Sequence, residues 1–321
     1  MSFDRLIGKI ESMHNPTVAG LDPKLEYIVD GIKEKAFAQY GGGLEGAAAA
    51  VLEWGKGMID ALCDIVPAVK PQLAYYERFG WYGMKCLAET IEYAKQNGMY
   101  VIADGKRNDI GSTMEAYADA WLGGIDTPDG FAEPFGADAL TVNGYLGSDG
   151  INPPLKLCEK YDKGIFVLVK TSNPSSGELQ DRKLGEGSAN ASVNANANAN
   201  ASVSVSEEMG RLCRRLGEDS AKTSKYGYSA VGAVVGATYP EQLAQLRREF
   251  PHMFFLVPGY GAQGGGARDV AGAFDADGRG AIINSSRGII CAWKKRPDTD
   301  WQSAARDEAI NMRDAIAEVI G

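Results

Sequence analysis

The sequence predicts a closed (β/α)8 barrel, and three observations carry that expectation. Eight short apolar, β-branched-rich runs recur along the 321 residues, each followed by a helical pattern. Most of these runs are apolar throughout rather than alternating, which implies a parallel sheet covered on its outer face. Polar residues gather at the C-terminal ends of the runs, where barrels of this kind build their sites. An open, doubly wound sheet is the competing arrangement.

The strands are expected near 17–22 (TVAGLD), 66–71 (VPAVKP), 99–104 (MYVIAD), 138–143 (DALTVN), 164–170 (GIFVLVK), 230–236 (AVGAVVG), 253–258 (MFFLVP) and 280–285 (GAIINS). Among the intervening helices the clearest is TYPEQLAQLRREF. There Thr238 and Glu241 have capping-box spacing, Pro240 suits the first turn, and Leu243, Leu246 and Phe250 share a face. One stretch breaks the rhythm. Residues 185–208, GEGSANASVNANANANASVSVSEE, form an Asn/Ala/Ser repeat with almost nothing to bury. Such a composition cannot offset its ordering entropy. The expectation is therefore one domain over residues 1–321, a TIM barrel carrying a flexible, low-complexity surface insertion at 185–208.

Bulk properties narrow the function. A net charge of −9 argues against a nucleic-acid or anionic-membrane partner, yet leaves room for an anionic small molecule held by a local cluster of Lys and Arg. The five cysteines (Cys63, Cys86, Cys158, Cys213, Cys291) are scattered, odd in number and without a CxxC pair, which reads as reduced thiols. The N-terminal MSFDRLIGKIESMHN lacks the apolar stretch of a signal peptide, and the chain is expected to be cytoplasmic.

The candidate chemistry lies at the strand ends. The first strand finishes in Asp22, the second in Lys70 and Gln72, the third in Asp104 and Lys106. The fifth leads into Ser172 and Asn173, the seventh into PGYGAQGGG and the eighth into NSSRG. Side chains two apart in a strand face the same way, so Lys70 with Gln72, and Asp104 with Lys106, are expected to point together at the barrel mouth. Asp109 and Thr113 are four apart and are expected on one face at a helix start. Lys70, Asp104, Lys106 and Asp109 would then form an alternating array, each ammonium kept protonated and each carboxylate ionised by its neighbours. Such an array can give a proton from lysine while repelling a substrate carboxylate. The alternative is a solvated salt-bridge network. Glycine-rich turns after the seventh and eighth strands commonly hold phosphate, which singles out Gln263 and Arg287. His14 and His252 lie outside the strand-end cluster, so a histidine triad or a multi-histidine metal site is not expected. Gly259, Gly261 and Gly264 have dinucleotide-loop spacing but follow the seventh strand without the usual acidic partner.

These motifs converge on a resemblance. DGKRNDIGST resembles the D-x-K-x-x-D-I-x-x-T signature of the orotidine 5′-phosphate decarboxylase family. GLDP, VKPQLAYYERFG, VKTSNPSSGELQD, VGAVVGAT, LVPGYGAQGG and INSSRGI are similar, in order, to other landmarks of its longer bacterial subgroup. The resemblance implies a homodimeric (β/α)8 barrel that converts orotidine 5′-monophosphate to UMP and CO2 without a cofactor or metal. It implies that Lys106 stabilises and protonates a carbanion at C6 and that Asp104 sits against the departing carboxylate. Asp109 and Thr113 would reach the neighbouring subunit's site. Asp22, Lys70 and Gln72 would hold the ribose hydroxyls and the charge network. Ser172 would read the pyrimidine edge, Pro258 would pack near the base, and Gln263 with Arg287 would hold the phosphate. Three other readings stay open: a Mg2+-dependent sugar-phosphate decarboxylase or synthase of the same superfamily, a Schiff-base lysine enzyme, and a catalytically silent phosphate-ligand binder.

Overall fold

Each expected apolar run forms a strand, and the strands close on themselves. A computed structural model describes residues 2–184, 202–261, 264–296 and 298–320. Its strands are β1 (Thr17–Leu21), β2 (Ala68–Pro71), β3 (Tyr100–Arg107), β4 (Ile125–Thr127), β5 (Gly130–Ala132), β6 (Ala139–Val142), β7 (Gly164–Lys170), β8 (Val231–Val235), β9 (Phe255–Val257) and β10 (Ala281–Ser285). Eight of them form a parallel barrel in the order β1-β10-β9-β8-β7-β6-β3-β2. β1 pairs with β2 (Gly20 opposite Lys70) and also with β10 (Val18 opposite Asn284), which leaves no sheet edge. The doubly wound alternative is thereby excluded.

The remaining pair, β4 and β5, is an antiparallel hairpin outside the barrel that the sequence did not suggest. Three-residue exposed strands are too short to show a period.

The apolar residues divide into two layers. Inside the barrel, Val18, Ile102, Phe166, Phe254 and Ile282 pack together, and the helix Ser2–Met13 closes the N-terminal end with Phe3, Leu6 and Ile7. The Phe3 ring lies 4.9 Å from Phe166 and 5.2 Å from Phe254. Between the barrel and its outer helices lies a second layer that includes Trp54, Leu87, Val101 and Phe255. With one end sealed by an apolar plug, the polar interior of the other end is the face of the barrel placed to carry chemistry.

Two local expectations are corrected. The helix at 240–249 buries Leu243 and Leu246 with Phe250 just beyond it, as the periodicity requires, but Tyr239 caps it and no side-chain cap forms. The Thr238 hydroxyl instead donates to the Ser172 carbonyl at 3.0 Å, tying the helix start to the barrel mouth. A capping box occurs where flexibility was expected. Ser204 accepts from the Glu207 amide (3.2 Å) while Glu207 accepts from the Ser204 amide (2.6 Å), opening the helix Val205–Thr223. Lys183 and Ser204 form an antiparallel bridge, and the Leu184 amide donates to the Val203 carbonyl at 2.8 Å. Residues 204–208 therefore belong to the fold, because Ser204 and Ser206 are buried and hydrogen-bonded. The rest of the Asn/Ala/Ser tract, 185–201, lies outside the described residues.

Because the bridge joins the two ends of the tract, replacing residues 186–201 with a short Gly/Ser linker should change stability by no more than about 1 kcal/mol. Extending the replacement through Ser206 should cost a further ~1 kcal/mol by removing the cap. Urea unfolding of the two variants checks both expectations.

Candidate active site

The centre of the barrel mouth is a buried carboxylate held by four side chains. Asp104, 7% exposed, stands near the end of β3. Its Oδ2 accepts from Lys70 Nζ (2.7 Å) and Gln72 Nε2 (2.9 Å), and its Oδ1 accepts from Lys106 Nζ (2.6 Å) and Thr141 Oγ1 (2.9 Å). Lys70 and Gln72 do reach together, as strand alternation requires.

Asp104 and Lys106 also meet, but by another route. The β3–β6 register shifts between Ala103 and Arg107, and Lys106 has φ +48°, in the left-handed region. Such a conformation costs a non-glycine residue of order 1–3 kcal/mol and needs support from its surroundings. That support includes the Lys106 amide, which donates to Thr141 Oγ1 at 2.9 Å.

The electrostatics follow from the geometry. Burial pushes the Asp104 carboxyl upward, but the Lys70 and Lys106 ammoniums outweigh it and hold the group well below the usual carboxylate range. Burial likewise opposes the charge on Lys70, and the Asp104 and Asp22 carboxylates more than compensate, raising its pKa. The signs agree. The lowered Asp104 contributes stability above the ordinary carboxylate pKa, and this is lost only as pH falls toward its folded value. The raised Lys70 contributes below the ordinary lysine pKa, and this is lost only as pH rises past its folded value. Both are charged throughout the neutral range. Lys70 is 4% exposed, whereas the Lys106 side chain is 45% exposed and free to meet a ligand.

Above the array lies a cavity of about 520 Å3. Of the residues expected at the site, Asp22, Lys70, Gln72, Asp104, Lys106, Ser172, Asn173, Pro258 and Arg287 all line it. Ser172 is seated by Gly236, where a Cβ would come within 2.8 Å of the Ser172 backbone. Arg287 is exposed at the start of the helix Arg287–Ile290, and its guanidinium has no hydrogen bond or ion pair to any described residue. Gln263 lies outside the described residues.

Asp109 and Thr113 do not join the single-chain array. The helix begins at Gly111, and extended backbone at its N-cap, Ile110, breaks the helical register that would have put the two on one face. Asp109 Oδ1 accepts from the Ile110 amide at 2.8 Å, Thr113 is exposed, and neither lines the cavity.

Comparison with known proteins gives the chain a family. The family model described as "Orotidine 5′-phosphate decarboxylase / HUMPS family" matches residues 56–298. An orotidine 5′-phosphate decarboxylase from Rhodopirellula baltica is 44% identical over 306 residues, covering 94% of this chain and 93% of the relative. The chain belongs to the orotidine 5′-phosphate decarboxylase family. A second member, from Caldicellulosiruptor bescii, is 36% identical over 317 residues, covering 99% of this chain and 98% of its own. The solved OMP decarboxylase of Leishmania donovani superposes with a TM-score of 0.68 at 28% identity, covering 99% of each chain.

Within this family's barrel, the cavity also takes in residues that the sequence did not single out, although most fall within motifs it marked: Thr141, Thr171, Gln180, Tyr260, Asn284 and Ser286. A signal existed for Thr141, the one polar residue of a fully buried strand, and for Asn284, which with Ser285 ends an otherwise apolar buried one. Thr171 and Gln180 gave none, because they meet only through the fold of their loop. The carboxylate oxygen Asp22 Oδ1 and the amide oxygen Asn284 Oδ1 are buried without a hydrogen-bond partner among the described residues. An unmatched buried acceptor is costly, so this pair suits a ligand that brings hydroxyl donors.

Asp104→Asn would leave the Lys70 ammonium buried beside a neutral amide and should destabilise the fold by about 3–5 kcal/mol. The double replacement Lys70→Met/Asp104→Leu should recover much of that loss. Denaturant unfolding measures both, and a single variant as stable as the parent would contradict the assignment.

Proposed function

We propose that this chain catalyses decarboxylation of orotidine 5′-monophosphate to UMP and CO2, with Lys106 as the proton donor. The observation that carries the reading is the saturated Asp104 carboxylate, fixed between one buried and one accessible ammonium at the cavity wall. A substrate carboxylate placed beside Asp104 meets like charge. When the bond from C6 to that carboxylate breaks, CO2 leaves and the electron pair stays on C6. The Lys106 ammonium stabilises this carbanion and then donates a proton to C6, which closes the balance. Lys70 keeps Asp104 ionised throughout.

The rest of the cavity suits the rest of the substrate. Asp22 and Asn284 present free acceptors to the ribose hydroxyls, and Ser172 and Pro258 flank the space for the base. Arg287 offers the phosphate a guanidinium fork that is unpaired among the described residues, and Gln263 is the second phosphate ligand that the resemblance implies. Binding energy from this remote group can then be used at the reacting carbon. No cofactor enters the proposed chemistry.

The proposed active unit is a homodimer in the cytoplasm. Ile110, Tyr145 and Leu146 are exposed apolar side chains close in sequence to Asp109 and to the helix Ser148–Tyr161, which packs on Gly111–Trp121. Covering this face with a second copy would carry Asp109 and Thr113 toward the partner's site. Free cysteines fit a reducing compartment.

A Mg2+-dependent sugar-phosphate enzyme of the same superfamily is the second reading, since the family description spans both branches. Against it, both Asp104 oxygens are already occupied by ammonium, amide and hydroxyl donors. The test follows the loss of orotidylate absorbance with EDTA present. Turnover should persist in the parent and fall by orders of magnitude in Lys106→Ala, which should still bind UMP. Loss of parent turnover in EDTA would favour the Mg2+ enzyme, and no turnover in either condition would favour a silent binder.

Inactive Lys106→Ala and Asp109→Ala subunits should restore activity to each other when mixed, because one site of the hybrid combines an intact Lys106 with the partner's intact Asp109. Hybrid dimers confirmed by native mass spectrometry but still inactive would place the whole array in one chain.

A further inference from the structure

Among the described residues, Lys170 is the most completely buried charged side chain outside the catalytic array. It ends β7 and is 1% exposed. Its ammonium donates to both carboxylate oxygens of Asp181 (2.8 Å each) and to Ser176 Oγ (3.2 Å), and lies 4.5 Å from the centre of the Tyr239 ring. Gln242 Nε2 adds a bond to Asp181 Oδ1 at 3.1 Å. None of these five residues lines the cavity.

What they enclose does line it. Thr171, Ser172, Asn173 and Gln180 fall between Lys170 and Asp181 and form one wall of the cavity. Gln180 spans that loop from inside. Its side chain accepts from the Thr171 amide (2.8 Å) and donates to the Thr171 hydroxyl (2.8 Å). A buried ammonium is tolerated only while its counter-charge is docked. Asp181, by contrast, keeps more than a third of its side chain exposed, so the carboxylate is the half of the pair that can leave. Its pKa is lowered, chiefly by the hydrogen bond from Lys170.

We propose that Lys170 and Asp181 are positioning residues, their ion pair acting as the latch that holds residues 171–180 as a preformed wall of the substrate cavity. The inference rests on the decarboxylase reading for its kinetic consequence but not for its structural one. With the latch intact, substrate meets an ordered wall. With it broken, binding must first select the ordered form, so apparent affinity falls by the fraction ordered, while saturated turnover is retained.

The test uses the full-length protein with Asp181→Ala, Asp181→Asn and Asp181→Glu. Asp181→Ala should raise KM for orotidine 5′-monophosphate on the order of tenfold, with kcat within about threefold of the parent. Asp181→Asn, which keeps the shape and one acceptor, should fall between, and Asp181→Glu should restore most of the loss. Without ligand, hydrogen exchange in Asp181→Ala should accelerate at the amides of 171–180 and remain unchanged in the barrel strands. That second readout holds even if the parent fails to turn over orotidylate, so failure of the latch and failure of the decarboxylase reading are separable. Unchanged KM with unchanged exchange at 171–180 would overturn the proposal. So would a general acceleration of exchange with kcat falling in step, which marks a merely structural pair.

Discussion

A carboxylate is buried at the mouth of this barrel, and the surrounding structure is arranged to tolerate it. Removing Asp104 from water is offset by four donors that arrive from β2, the turn after it, β3 itself and β6. Those donors meet only if three strands hold their register to within a fraction of a residue. The parallel bridge between Gln72 and Asp104, and the Leu73 amide donating to the Asp104 carbonyl, fix one side. Thr141 fixes the other. The left-handed backbone at Lys106 is the local cost of this arrangement.

Stability and reactivity are divided between the ends of the barrel. At the sealed end, the rings of Phe3, Phe166 and Phe254 interlock. At the open end the interior changes to Lys70, Asp104, Thr141 and Asn284, with Leu168, Val234 and Leu256 as an apolar floor and wall. The low-dielectric surroundings strengthen each charge pair there and also make each unpaired acceptor costly. Asp22 and Asn284, left without donors, are accordingly the places where a ligand gains most.

The connection after β7 shows how one segment serves both fold and site. Between Lys170 and Thr223 it contributes a cavity wall, a buried ion pair, a short antiparallel bridge and a capped helix. The low-complexity tract follows Asp181 in the sequence, and the described chain ends that flank it are joined by backbone hydrogen bonds.

All eight barrel strands were legible in the sequence, because a parallel strand covered on both faces must be apolar along its length. Most of the array was legible too, because chemistry on a barrel collects at strand ends. Local pattern reached no further. The hairpin at 125–132 was too short to have a period, and the hydroxyl of Thr238 was diverted from its helix by the nearby Ser172 carbonyl. The start of the helix at Val205 was hidden by a repetitive composition that continues through its capping serine. Thr141, Gln180 and the Lys170–Asp181 pair became visible only in three dimensions, as did the irregular backbone that brings Lys106 to Asp104. Periodicity and composition are properties of neighbours along the chain, and these the sequence determined by itself. Which charges face one another depends on barrel closure and strand register, and those only the tertiary structure decided.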